Sequence, residues 1–226
     1  MRSISATPLW LAVAVVFVGM TLGCKPATLS SLTGKRTVTS TATYTVAPEV
    51  HETPHLPAGV RIQVREPREG VRASVFSLVS SAGIEQTGAL VSEKIVSEAS
   101  PGEIWAGTGS RSAATVKYLK IGTKYNDTSD WVTDDTSTID AAAGTVVTSS
   151  RLVSPKRGAE VVYVHLGPQA TEMIGEPMVA GGTGWFDSYT YWNADSGTGS
   201  VEPTGTWIAI VEIDQRPAIW RTFEIR

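Results

Sequence analysis

Short runs in which apolar and polar residues alternate, separated by glycine and proline, extend along most of this sequence. In the segment 60–65, Val60, Ile62 and Val64 alternate with basic and amide residues. A period of two residues is typical of a strand with one face buried and the other in water. After the first 24 residues the sequence shows no long run with the period of a helix. The pattern therefore predicts an all-β fold.

The predicted strands form two groups along the chain. In the first group, strands at 60–64 and 71–79 flank the turn 66–69, which predicts a hairpin. The second group is broken by proline and glycine turns, which predicts an antiparallel β-sandwich. The predicted strands are 37–46, 60–64, 71–79, 90–97, 115–121, 146–153, 159–166, 184–192, 206–213 and 219–225.

The chain has a single cysteine, Cys24, at the end of an apolar run near its start. Arg2 precedes this run, and residues 9–20 contain no polar side chain. The run is shorter than the roughly 18 to 20 apolar residues that a helix needs to cross a bilayer. A basic start followed by a short apolar run is typical of an export signal. Because a lone cysteine has no partner for a disulfide, packing and hydrogen bonds must hold the exported protein together.

The residues Thr21-Leu22-Gly23-Cys24 resemble the bacterial lipobox. The resemblance implies cleavage between Gly23 and Cys24, and palmitate-type lipidation of Cys24. Residues 1–23 are then a lipoprotein signal peptide with a signal helix. The mature chain is expected at the extracytoplasmic face of the bacterial membrane, held by its lipid. The alternatives are a secreted protein whose cysteine is incidental and a protein anchored by an uncleaved N-terminal segment.

The net charge of the chain restricts the kind of partner that it binds. The formal net charge is −3, and loss of residues 1–23 removes one base and no acid. A weakly acidic chain argues against nucleic acid as a partner.

Residues 24–36 are small and polar, which predicts a flexible tether. A glycine- and serine-rich break near 107–114 divides the rest into predicted domains 37–109 and 110–226.

Three segments of the first predicted domain resemble a known family, namely TVTSTATYTVAPEV, EGVRASVFSLVSSAG and VSEKIVSEASPGEIWAGT. With glycines at Gly59, Gly70, Gly83 or Gly88, and Gly107, residues 37–109 resemble the G-five domain, an elongated β module of bacterial surface proteins. The resemblance implies a binding or spacer unit that recognises N-acetylglucosamine-containing cell-wall polymers or mediates adhesion. No catalytic residue belongs to that family pattern.

The second predicted domain ends in PTGTWIAIVEIDQRPAIWRTFEIR, which is similar to the last hairpin of bacterial immunoglobulin-like domains. The resemblance implies an immunoglobulin-like β-sandwich for residues 110–226. Alternation places Trp207 in its core and Trp220 on the opposite face of the neighbouring strand. Sandwiches have many functions, so this likeness concerns the fold alone.

The segment His51-Glu52-Thr53-Pro54-His55 formally matches the H-E-x-x-H motif of zinc metalloproteases. That motif works only on a helix, where residues four apart share a face. Pro54 is incompatible with a helix interior. In a strand the two histidines lie about 13 Å apart, too far to share one zinc ion. We interpret them as exposed loop histidines, with an intermolecular or adventitious zinc site as the alternative.

The strand at 184–192 carries aromatic residues on both of its faces. Alternation places Trp185, Tyr189 and Tyr191 on one face, and Phe186 and Trp192 on the other. One face must pack inward, so the other is a candidate platform for stacking against sugar rings. Packing in the core and at the sheet edge is the alternative for the same residues. We predict Trp185, Tyr189 and Tyr191 as ligand-binding residues.

The loop 126–135 concentrates acidic residues, but its spacing differs from that of a calcium-binding loop. We therefore interpret it as a solvated acidic loop. The sequence contains no nucleophile elbow, phosphate loop or dinucleotide fingerprint. We predict a protein with no enzyme activity, no cofactor and no metal site.

Two functions remain, and they differ in the kind of partner. The first is a surface lipoprotein that binds peptidoglycan or another glycan, or mediates adhesion. The second is a spacer or scaffold lipoprotein that binds a protein partner at the cell envelope. Both predict a membrane partner through the lipid anchor and no nucleic acid.

Overall fold

The computed structural model describes residues 30–32, 35–81, 84–126, 128, 131–182, 184–193 and 203–226. Gly23, Cys24, the predicted signal helix and most of the predicted tether lie outside these residues, as does Gly83. Within the described ranges, no helix is long and apolar enough to cross a membrane.

The described residues form an all-β protein, with one short 3-10 turn at Ala141–Ala143. All ten predicted strands coincide with observed strands, with ends that differ by a few residues. The strands are β1 (Ser30–Leu32), β2 (Lys35–Tyr44), β3 (Glu49–Pro57), β4 (Arg61–Arg65), β5 (Gly70–Ser81), β6 (Ile84–Ser97), β7 (Glu103–Gly109), β8 (Thr115–Gly122), β9 (Tyr125–Asn126), β10 (Trp131–Val132), β11 (Thr138–Ile139), β12 (Thr145–Val153), β13 (Glu160–Leu166), β14 (Glu172–Ile174), β15 (Met178–Val179), β16 (Trp185–Asn193), β17 (Gly205–Ile213) and β18 (Arg216–Ile225).

Two sheets enclose the main core. One has the strand order β16-β12-β8, and the other has the order β11-β18-β17-β13-β14, with β15 also paired to β13. Ile121 and Leu152 from the first sheet share one buried cluster with Tyr163, Trp207 and Phe223 from the second. The predicted β-sandwich and the core position of Trp207 are therefore confirmed.

A third sheet, with the order β3-β7-β4, covers the other face of the β17-β13 sheet. Leu56, Val64 and Trp105 from this sheet share a second buried cluster with Ile208 and Ile210. The indole Nε1 of Trp105 also donates a hydrogen bond to the Gly167 carbonyl oxygen at 2.9 Å. Because the middle sheet is covered on both faces, β17 is apolar and buried at nearly every position instead of alternating.

Trp220 lies on the face of β18 that points away from the sandwich core, as predicted. It is nevertheless half-buried, because it packs against the second cluster. The guanidinium of Arg111 also lies over its ring, 5.5 Å from the ring centroid.

The predicted hairpin between residues 60–64 and 71–79 is wrong. β4 pairs with β7, whereas β5 belongs to a different sheet with the order β1-β2-β5-β6. Pro67 has no N–H to continue a ladder, and Arg68 instead exchanges two backbone hydrogen bonds of 2.9 Å with Ser100. At Gly70 an added Cβ would lie 2.5 Å from the Ala99 nitrogen, so glycine is needed where the chain enters β5.

The chain folds as two compact units. The first contains the described residues up to Ser40 together with Ser74–Ser92, and the second contains Thr41–Ala73 together with Glu93–Arg226. The sandwich and the sheet that covers it both lie in the second unit. The predicted domain boundaries, 37–109 and 110–226, stay a prediction.

Candidate functional site

The outer face of β16 presents a row of exposed aromatic side chains. The exposed fractions of Trp185, Tyr189 and Tyr191 are 57%, 36% and 65%. Opposite them on β12, the partners of Tyr189 and Tyr191 are Ser149 and Val147. The predicted alternation is therefore present, and these rings lie at the surface. Their role in binding a ligand stays a prediction.

The opposite face of β16 packs inward and holds the strand in place. Phe186 and Trp192 are half-buried against the main core, and Ser188 is buried. The hydroxyl of Tyr163 donates a hydrogen bond to the Ser188 carbonyl oxygen at 2.6 Å. Core packing, the alternative that the sequence left open, thus applies to this face and not to the outer one.

A short ladder formed by β9 and β10 lies over part of the outer face. The backbone N–H of Val132 donates to the Ser149 hydroxyl at 3.2 Å, and Val132 is buried. The rings of Tyr125 and Tyr189 are stacked, with centroids 4.2 Å apart and planes inclined by 27°. Since Tyr125 covers part of Tyr189, Trp185 and Tyr191 are the more accessible rings.

An ion pair joins neighbouring strands between Trp185 and Tyr189. Arg151 Nε and Nη2 donate to the two carboxylate oxygens of Asp187 at 2.5 and 2.6 Å. The hydroxyl of Tyr118 donates to the same carboxylate at 3.3 Å. Burial, with the charge of Asp187 adding to it, raises the pKa of Tyr118 to about 12, so the phenol keeps its proton at neutral pH.

Two cationic side chains approach the ring of Trp185. Lys117 Nζ lies 4.7 Å from the ring centroid, and Arg151 Cζ lies 5.4 Å from it. An open depression of about 500 Å³ adjoins the same ring and is lined by Arg157, Gly181, Gly182 and Phe186. The site therefore combines flat apolar surface with positive charge, an arrangement suited to stacking and hydrogen bonding with a sugar.

The interpretation of His51 and His55 as exposed loop residues is wrong. Both lie in β3, and both are half-buried. The His51 ring packs against Trp105 with centroids 5.2 Å apart. His55 Nδ1 lies 2.9 Å from a carboxylate oxygen of Glu212, and His55 Nε2 lies 2.7 Å from Glu172. The segment is extended, as the prolines predicted, and its two histidines have different surroundings.

The described part of the acidic loop is not simply solvated, which corrects that prediction. Asp134 accepts hydrogen bonds from the backbone nitrogens of Thr123 and Lys124 and from the Thr123 hydroxyl. Asp135 accepts from the backbone nitrogen of Ile121 and from Arg221. These carboxylates fasten the loop to the end of β8. Asp127 and Asp130 lie outside the described residues.

The third histidine, His165, is enclosed within the sandwich. Its Nε2 lies 2.8 Å from the Thr148 hydroxyl, and its ring packs edge-on against Trp192. Burial lowers the pKa of His165 to about 3, so the ring is neutral at physiological pH. It is therefore a structural residue, and no acid–base role follows from its presence.

No group of three or more histidine, cysteine, aspartate or glutamate side chains is arranged to hold a metal ion within the part of the chain that the structure describes. The acidic residues discussed above have basic or backbone partners.

Comparison with known proteins gives one family match. Residues 35–109 match the G5 domain. The match bears out the resemblance that the glycines and the three segments indicated. It covers about a third of the chain, from β2 to β7. G5 domains are typically non-catalytic, and many are extracellular.

Two further comparisons add little about function. A search among curated proteins gave no match. Among solved structures, the chain is similar to an immunoglobulin-like protein from Pseudomonas aeruginosa, with 14% identity and a TM-score of 0.33. That match covers 52% of this chain and 100% of the other.

Proposed function

We propose that this protein is a non-catalytic lipoprotein of the bacterial cell surface that binds glycan through the outer face of β16. The ligand is a cell-wall or extracellular polymer that contains N-acetylglucosamine, and binding serves attachment or adhesion. The observation that supports this proposal most directly is the exposure of Trp185, Tyr189 and Tyr191 on one strand face. Exposed rings in a row are uncommon on a monomer surface unless a ligand covers them.

The physical basis of this proposal is the stacking of a sugar ring on an aromatic side chain. The apolar face of a pyranose packs on an indole or a phenol, and the hydroxyl groups of the sugar point to the rim. Trp185 and Tyr191 are carried by a strand whose inner face is buried, so its backbone does not have to be ordered on binding. The matched G5 segment supports the same class of ligand.

The test is retention of the detergent-solubilised full chain on insoluble peptidoglycan and on chitin. We expect the wild-type protein to be retained and the double variant Trp185→Ala, Tyr191→Ala to bind about tenfold or more weakly. Ile174→Ala is the matched control, because Ile174 is equally exposed but lies in β14 of the other sheet. Equal retention of all three proteins, or retention of none, contradicts glycan binding at this face.

The anchor is tested separately from the ligand. If Cys24 is lipidated, Cys24→Ser prevents processing after Gly23 and changes the membrane association of the chain. Fractionation and palmitate labelling of both forms measure this directly. A Cys24→Ser protein that is processed and anchored like the wild type contradicts the lipoprotein proposal and leaves the glycan proposal standing.

A second candidate function is that of a spacer or scaffold that binds a protein partner at the envelope. The observation in its favour is β6, the edge strand of the β1-β2-β5-β6 sheet. Ile84, Leu90 and Val91 on this strand are exposed. An exposed edge strand with apolar side chains can pair with a strand of another protein. Crosslinking on membranes should then yield one dominant protein partner, whose yield falls in Leu90→Lys and is unchanged in Trp185→Ala.

A further inference from the structure

The surroundings of Trp185 are charged, and the sign of that charge narrows the class of ligand. Lys117 lies over the indole, and Arg157 lines the adjoining depression. Neither side chain takes part in an ion pair among the described residues. Arg151, the other cation at this ring, is already neutralised by Asp187. Two cations without an ion-pair partner among the described residues therefore belong to this site, one over the Trp185 ring and one in the lining of the depression that the ring borders.

This local charge is opposite in sign to that of the whole chain, whose formal net charge is −3. Among the described residues that line the depression, Arg157 is the charged one. A cation without an ion-pair partner is stabilised when an anion binds beside it. The arrangement is thus complementary to a ligand that brings negative charge to Trp185.

The floor of the depression leaves space for such a ligand. An added Cβ at Gly181 or Gly182 would meet no atom of the described residues within 4 Å, apart from its own neighbours in the chain. Gly182 and Gly184 also have φ angles of 143° and 109°, which L side chains rarely adopt. Gly181 and Gly182, which line the depression beside Trp185, therefore contribute no side chain to it.

We propose that the Trp185 end of this face binds an anionic sugar, whose carboxylate or phosphate is held by Arg157 and Lys117 while its ring stacks on Trp185. This inference rests on the proposed glycan-binding function and specifies the class of glycan. A guanidinium offers paired donors that match the oxygens of a carboxylate or phosphate, and an ammonium adds a point charge. Tyr189 and Tyr191 continue the platform for the neighbouring, uncharged sugar units.

The experiment compares charged and uncharged forms of one polymer. Hyaluronan alternates N-acetylglucosamine with a carboxylate sugar, and its methyl ester has the same backbone without the charge. A glycerol phosphate polymer that carries N-acetylglucosamine supplies phosphate in place of carboxylate. The detergent-solubilised full chain is titrated with each polymer at low and high salt. We expect hyaluronan or the phosphate polymer to bind about tenfold or more tightly than the ester, with the difference reduced by salt.

Substitutions test which residues are responsible for the preference for charged polymers. Arg157→Gln and Lys117→Gln should each weaken binding of the charged polymer several-fold and leave binding of the ester unchanged. Trp185→Ala should weaken both. Arg216→Gln is the matched control, because Arg216 is also exposed but is the first residue of β18, in the other sheet of the sandwich.

The outcomes separate the two proposals. The anionic-sugar inference is overturned if neither hyaluronan nor the phosphate polymer binds more tightly than the ester, or if Arg157→Gln and Lys117→Gln leave binding of the charged polymers unchanged. Glycan binding would survive that result, because Trp185→Ala would still weaken binding of the ester. If no polymer is bound by the wild-type chain, the proposed glycan-binding function fails and this inference fails with it.

Discussion

His55 Nδ1 lies 2.9 Å from the carboxylate of Glu212, which joins β3 to β17 across two sheets. The hydrogen bond to Glu212 raises the pKa of His55, and the negative charges of Glu212 and Glu172 add to this effect against the opposing effect of burial. Because the folded-state pKa is above the unfolded value of 6.5, the stabilisation is complete below about pH 6.5. It is lost as the pH rises through the folded-state pKa.

The first prediction concerns this pair. The difference in free energy of unfolding between the wild type and His55→Gln should be larger at pH 6.5 than at pH 8.5, as measured by urea denaturation. At the lower pH the variant leaves a buried carboxylate without its charged partner, a cost of about 1 to 3 kcal/mol. A difference that does not vary with pH contradicts a charged His55.

The second prediction concerns His165, whose contribution to stability depends on pH in the opposite direction to that of His55. Burial holds its pKa at about 3 in the folded state, below the unfolded value of 6.5. Its contribution to stability is therefore present above pH 6.5 and is lost as the pH falls toward about 3. The wild type should lose up to about 1.4 kcal/mol per pH unit through this residue. Denaturation midpoints of His165→Asn should fall less steeply over the same range, and parallel slopes would refute the assignment.

The third prediction concerns the close approach of β3 and β7. A Cβ on Gly107 would overlap the Pro57 carbonyl oxygen and lie 2.6 Å from the Leu56 carbonyl oxygen. Backbone atoms of a paired strand move little, so Gly107→Ala should lower the free energy of unfolding by about 2 to 3 kcal/mol. Gly181→Ala is the control, with an expected change within about 0.5 kcal/mol, because its added Cβ meets no atom of the described part of the chain within 4 Å, its own neighbours aside. Similar effects of the two substitutions would contradict the packing argument.

The fourth prediction concerns the acidic loop. Hydrogen bonds from the Thr123 hydroxyl and from backbone nitrogens of Thr123 and Lys124 lower the pKa of Asp134 against the effect of burial. Asp134→Ala should therefore lower the free energy of unfolding by about 1 kcal/mol, since these donors lose an acceptor that is partly exposed to water. Calcium and EDTA should leave the melting temperature of the wild type unchanged. A rise with calcium that disappears in Asp134→Ala would mean that the carboxylate binds metal.

The sequence predicted correctly those features that depend on one strand alone. The period of two residues gave both faces of β16, because the face of each residue depends only on its position in the strand. The same rule placed Trp207 inside the sandwich. Glycines such as Gly107 indicated the G5 segment, because close backbone approach there excludes a side chain.

Contacts between strands that are far apart in the sequence could not be predicted from the alternation of residues within one strand. Glu212 lies 157 residues after His55, and no local pattern links them. The two prolines of the segment 51–57 also led us to expect a loop, although both are accommodated in β3. β4 and β5 are adjacent in sequence but pair in different sheets, since the pairing partner of β4 is β7. Lys117 and Arg157 were missed for the same reason: Lys117 lies in β8, two strands away from β16 in the sheet, and Arg157 lies in a turn.

Trp185 also gives the protein a natural optical reporter. Of the tryptophans whose side chains the structure describes, Trp185 is the exposed one, while Trp105 and Trp207 are buried and Trp192 and Trp220 are half-buried. An indole in water emits at longer wavelength than one in an apolar interior. A ligand that stacks on Trp185 removes water from this ring and should move the red edge of the emission spectrum toward the blue. Occupancy of this face can thus be followed in solution on the unlabelled chain.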